Sequence, residues 1–70
     1  MSRYNINVRL ATLGRRKVEI IKELANRGIS VTPAQFSNFT NGVQTQPKSE
    51  IVLEAADKII SEWEVAANGS

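Results

Sequence analysis

Apolar residues recur along this chain at helical spacing, in four stretches separated by glycine or proline. Ile6, Leu10 and Leu13 fall at i, i+4 and i+7, with Gly14 behind them as a stop. That spacing predicts a short first helix capped by Asn5 or Asn7. Residues 15–27 predict a second helix. Val18, Ile21, Leu24 and Ala25 line one face with Ile20 beside them, Glu19, Lys22, Glu23 and Asn26 face out, and Gly28 ends it. The third helix, about 33–41, is bounded most sharply. Thr32 offers a capping hydroxyl, and Pro33 sits at the first helical position, where its missing N–H costs nothing. Gln35 completes a capping-box pattern, and Asn41-Gly42 supplies a left-handed stop. Phe36, Phe39 and Val43 share one narrow arc of it.

The fourth helix runs from about Lys48 to Ala67, with Ser49 as its predicted cap and Glu50 favouring the helix dipole. Val52, Ala55 or Ala56, Ile59, Ile60 and Trp63 make its stripe, and Trp63 closes the bottom of the core. Ile51, Leu53 and Val65 lie off the stripe and either enlarge the core or form a dimer seam. Ile29-Ser30-Val31 alternates as an extended link, with Val31 placed as a hydrophobic staple ahead of Thr32. Val43 to Pro47 reads as a polar loop. The ends, residues 1–5 and 68–70, carry no pattern and are expected to be mobile or frayed. The expectation is one all-α domain over 1–70 with an ordered core at about 6–67. Its architecture is a small four-helix bundle, a five-helix version being the alternative.

Seventy residues lie near the lower limit for a self-sufficient core. Total stability should be about 3.5–10 kcal/mol, and a deep catalytic cleft does not fit in such a fold. The chain has no Cys and no His, which removes disulfides, thiolates and the common zinc and Ser-His arrangements. No nucleophile–base pair is present, so an enzyme is not expected, nor any metal or cofactor. No apolar run approaches bilayer length and no signal-peptide h-region opens the chain. It reads as a cytoplasmic protein with no membrane partner.

Charge changes the picture more than composition does. Residues 1–48 carry eight cations against two carboxylates, whereas residues 49–70 carry five carboxylates against one lysine. A basic body with an acidic last helix is a partner signal, most often for a polyanion. Arg15, Arg16 and Lys17 crowd the start of the second helix, where cations oppose the dipole at a few tenths of a kcal/mol each. Phosphate is the counter-charge that would make sense of them; a merely solvated cluster is the plainer account. The outward face of the third helix is different again. Ala34, Ser37, Asn38 and Asn41 make it small, polar and uncharged, although Lys, Glu and Arg are better helix formers. Such a face suits contact with something other than water.

Thr32-x-x-x-Phe36-Ser37-Asn38-Phe39-x-Asn41-Gly42 resembles the second helix of the helix-turn-helix in phage Cro- and repressor-type proteins, the lambda-repressor-like DNA-binding domains. The resemblance extends over about residues 6–63, although its specific part is the eleven residues 32–42. It implies that the third helix lies in the DNA major groove with its exposed side chains on base edges. By position, Pro33, Ala34, Ser37 and Asn38 would read, with Thr32 and Asn41 near the backbone. Arg16 and Lys17 would match the family's phosphate clamp, and Gln44 to Lys48 a second backbone contact. Two departures stand out. The connection after the second helix, 26–31, is longer than the family's tight turn. Pro33 and Ala34 also replace the amides often found at the front of the reading helix, which shifts readout to Gln35, Ser37 and Asn38, with capping and base contact competing for Gln35.

Two readings follow. In the first, the chain is a sequence-specific regulator of transcription that binds double-stranded operator DNA, as a homodimer on a palindrome or beside another protein. In the second, it is an adaptor that uses the helix-turn-helix frame to dock onto a larger repressor.

Overall fold

The computed structural model describes residues 4–42 and 46–68. The chain forms α1 (Ile6–Leu13), α2 (Lys17–Asn26), α3 (Pro33–Thr40) and α4 (Pro47–Asn68), with no strand among the described residues. The expectations for Val43 in the phenylalanine arc, for Gln44 and Thr45 as loop contacts, and for residues 1–3 and 69–70 fall outside the described residues. Tyr4, expected to be loose, packs against the core, Asn5 is the N-cap residue of α1, and Asn68, expected to fray, closes α4.

The first two helices stop in the same way. After α1, Gly14 N–H donates to the Ala11 carbonyl and Arg15 N–H to that of Leu10. After α2, Gly28 N–H donates to Ala25 and Ile29 N–H to Leu24. Both are Schellman closures, which need a left-handed residue; Gly14 (φ 71°) and Gly28 (φ 84°) provide it without a Cβ penalty. The second closure also folds Ile29 back over Leu24, starting the six-residue link 27–32 to α3. Val31 is buried within that link, as its alternation with polar neighbours predicts.

α4, at 22 residues, is about 33 Å long and accounts for the longest dimension of the molecule, 36 Å. It packs against each of the other three helices, and α3 also packs on α2. Ile6 and Leu10, Ile20 and Leu24, Val31, Phe36 and Phe39, and Val52, Leu53, Ala56, Ile59 and Ile60 form one buried cluster. The shortest dimension is 17 Å, the thickness of two helix layers. Whatever this protein binds must meet its surface.

Three further expectations need correction, and one open alternative is decided. α2 begins at Lys17, because residues 15 and 16 belong to the turn that closes α1 and to the α2 N-cap. Its buried face centres on Ile20 and Leu24, while Val18 is 62 % exposed and Ala25 is exposed. The apolar residues of α2 span a wide arc, and packing uses only one edge of it. On α4, of the two alternatives for the residues flanking the stripe, Leu53 takes the core one and is too buried to form a dimer seam, while Ile51 and Val65 stay exposed. Ser49 is not the α4 cap. Pro47 takes the first helical position, and buried Ser49 hydrogen-bonds back to the N–H and carbonyl of Gln46. Trp63 lies at the core edge, half-buried, as expected.

Candidate nucleic-acid interface

α3 is held by the capping box that its sequence spells. Gln35 N–H donates to Thr32 Oγ1 and Thr32 N–H donates to Gln35 Oε1, both at 3.1 Å. Phe36 and Phe39 anchor the inner side, and buried Thr40 returns its hydroxyl to the Ser37 carbonyl. This anchoring leaves Pro33, Ala34 and Asn41 exposed, with Gln35, Ser37 and Asn38 half-exposed. A helix of eight residues is too short to be stable alone. Its presentation therefore depends on the two phenylalanines beneath and the cap in front.

The start of α2 reaches this face. Lys17 Nζ donates to Ser37 Oγ at 3.0 Å, so a cation from one helix rests on the uncharged side of another. Arg16, the N-cap residue, is exposed, and its guanidinium has no ion-pair or hydrogen-bond partner among the described residues. Its backbone N–H donates to Glu19 Oε2 at 2.8 Å. That bond, followed by the Arg15 guanidinium, holds the Glu19 carboxyl below the usual range.

The three adjacent cations thus separate. Arg15 pairs with Glu19 at 3.1 Å, and its guanidinium lies over the Trp63 ring, 4.6 Å from the centroid. It is engaged with the fold, whereas Arg16 and Lys17 form no direct ion pair among the described residues, Glu19 lying close enough only to feel the Arg16 charge. Arg9 and Arg27 resemble Arg15 in this respect. Arg9 bonds Asp57, Ser61 and Glu64 of α4 as well as the Tyr4 carbonyl, and Arg27 bonds both oxygens of Glu62. Glu64, chiefly, pushes the Arg9 pKa upward. Much of the acidic charge on α4 is answered within the molecule by arginines from the basic half. The described cations left without a carboxylate are Arg16, Lys17, Lys22 and Lys48, all exposed.

Of the residues expected at the interface, Thr32, Pro33, Ala34, Gln35, Ser37, Asn38 and Asn41 belong to α3 and its caps, and Lys17 joins them directly. Lys48 is exposed on the first turn of α4. Gln44 lies outside the described residues. Asn7 was not foreseen in this role: from α1 its Nδ2 donates to Asn41 Oδ1 at 3.1 Å, while its own Oδ1 is buried without a partner. Its reading as an alternative cap for α1 hid it, and only the approach of α1 to the end of α3 reveals it. None of these residues lines the shallow groove of about 330 Å³ formed by Arg27, Ile29, Ile51, Glu54, Ala55 and Lys58.

Fold and surface together define a small all-α protein of four helices, with a short capped helix presented beside an unpaired cationic helix start. No known protein family, curated protein or solved structure matches the chain. No helix among the described residues is long and apolar enough to cross a membrane.

Proposed function

We propose that this chain is a sequence-specific double-stranded DNA-binding regulator of the Cro and repressor type, with α3 as its major-groove helix. The observation that carries the proposal is the 3.0 Å bond from Lys17 to Ser37, which puts a cation and an uncharged hydrogen-bonding face on one continuous surface. Duplex DNA requires that combination: cations hold phosphates and set register, while amides and hydroxyls read base edges. The division of charge supports the same reading, since the basic groups not neutralised internally include Arg16 and Lys17. Four such cations would give a log–log salt slope of about −3.6 per subunit if each meets a phosphate. The six-residue link before α3 is longer than in the family it resembles, and the capping box and buried Val31 fix where that link delivers α3.

One seventy-residue domain reads few base pairs, so the proposal includes binding as a pair on a two-fold operator. The test is a gel-shift series with duplexes selected from random sequence. Asn38→Ala should relax discrimination at one position by about 1–3 kcal/mol. Arg16→Ala should weaken binding to all sequences alike and reduce the salt slope by about 0.9. Indistinguishable behaviour of the two variants would refute the division of labour. Retention of a larger protein with no retention of duplex would favour the adaptor reading instead.

A further inference from the structure

Two amides stand one turn apart on α3, and the structure leaves them chemically unequal. Gln35 Oε1 accepts from the Thr32 N–H, which holds that oxygen at the helix start with one lone pair in use, while its NH₂ group, a donor, has no partner among the described residues. Asn38, at i+3 on the same side of the helix, has neither amide group engaged among the described residues, so both its donor and its acceptor are free. Three residues of helix rise about 4.5 Å, so the two side chains fall over neighbouring base pairs. In the major groove, guanine and thymine present keto oxygens, whereas adenine and cytosine present amino groups. An amide that presents its NH₂ end to the groove meets repulsion from an amino group and a bond from a keto oxygen. An amide with both groups free matches the N6 and N7 pair of adenine.

We infer that Gln35 specifies a keto base, guanine or thymine, and that Asn38 specifies adenine at an adjacent step. The capping box is then also a selectivity device: closing the α3 N-terminus holds back at the helix start the oxygen with which Gln35 would take adenine. The competition between capping and readout disappears, because the two tasks use opposite ends of one amide. This inference rests on α3 being the major-groove helix.

Gln35→Glu separates the tasks. A carboxylate keeps an oxygen for the Thr32 N–H, so the cap survives, and unchanged helicity and melting would verify that. The outward donor becomes an acceptor. Selection of duplexes from random sequence by the parent and by Gln35→Glu should therefore differ at one position, changing from guanine or thymine to cytosine, whose N4 amino group donates. The preference there should reverse by about tenfold in each direction. Loss of affinity from the added charge alone would lower all sequences together and leave the preferred base unaltered. A folded Gln35→Glu variant that selects the same base as the parent overturns the inference, as does a parent preference for adenine or cytosine at every position sensitive to residue 35. A parent that enriches no duplex at all overturns the DNA reading itself, a distinct result.

Discussion

The side of the molecule where α1 meets α4 and the side where α2 meets α3 use charge in opposite ways. On the first, Arg9 reaches across to Asp57, Ser61 and Glu64, and its side chain is only 21 % exposed. Cations there face carboxylates and fasten helices to one another. On the second, Lys17 rests on a serine hydroxyl, the Arg16 guanidinium forms no ion pair or hydrogen bond among the described residues, and the facing helix carries no charge. The contrast shows that the basic excess of residues 1–48 is two populations. One belongs to the fold, and the other is left available at a surface of hydrogen-bonding groups on which Asn38 has no partner among the described residues.

The comparison breaks most completely if the support common to both sides is removed. Phe36 is fully buried beneath α3 and belongs to the cluster that α4 completes. Phe36→Ala should cost about 3–5 kcal/mol, a large part of the stability of so small a domain. Thermal melting followed by circular dichroism would measure it, and a variant that melts like the parent would mean the phenylalanine is not the anchor.

A smaller change sharpens the contrast. Arg9→Met should cost about 1–2 kcal/mol, because it dissolves a partly buried charge network and leaves the apolar stem volume in place. DNA affinity measured where both proteins are folded should be unchanged. Acid should have a related effect. Arg9 holds the Glu64 carboxyl below the usual range, so its contribution is present above that range and is lost as pH falls through the lowered value. Urea midpoints compared at neutral and acid pH should fall less in Arg9→Met than in the parent. An equal fall in both would remove Glu64 from the account.

How much of this was readable in advance depended on how local the cause was. The caps of α3 are contacts between residues three apart, so Thr32, Pro33, Gln35 and Gly42 declared that helix completely. The stops at Gly14 and Gly28 were equally plain. The buried face of α2 was not, because Val18, Ile20, Ile21, Leu24 and Ala25 cover so wide an arc that only the position of α4 selects an edge. Leu53 stayed open between core and dimer seam for a similar reason: it flanks the α4 stripe, and whether a flank is covered depends on the neighbouring helices. Ser49 has the residue type of a cap, but Pro47, two residues earlier, takes the first helical position and moves the helix start ahead of it. At the candidate interface, the chemistry of α3 was visible from spacing. The separation of Arg15 from Arg16 and Lys17 was not, since it depends on Trp63, nearly fifty residues away, nor was the contact of Asn7 with Asn41.

The central claim is that the uncharged side of α3 and the start of α2 form one surface for a nucleic-acid duplex. Backbone and side-chain amide NMR shifts, followed while a selected duplex is added, address it directly. Lys17, Gln35, Ser37, Asn38 and Asn41 should move together in a salt-sensitive manner, while Asp57, Ser61 and Glu64 on the Arg9 side stay still. If the α3 residues were silent, or if the α1–α4 side alone responded, the surface would have been assigned to the wrong part of the molecule.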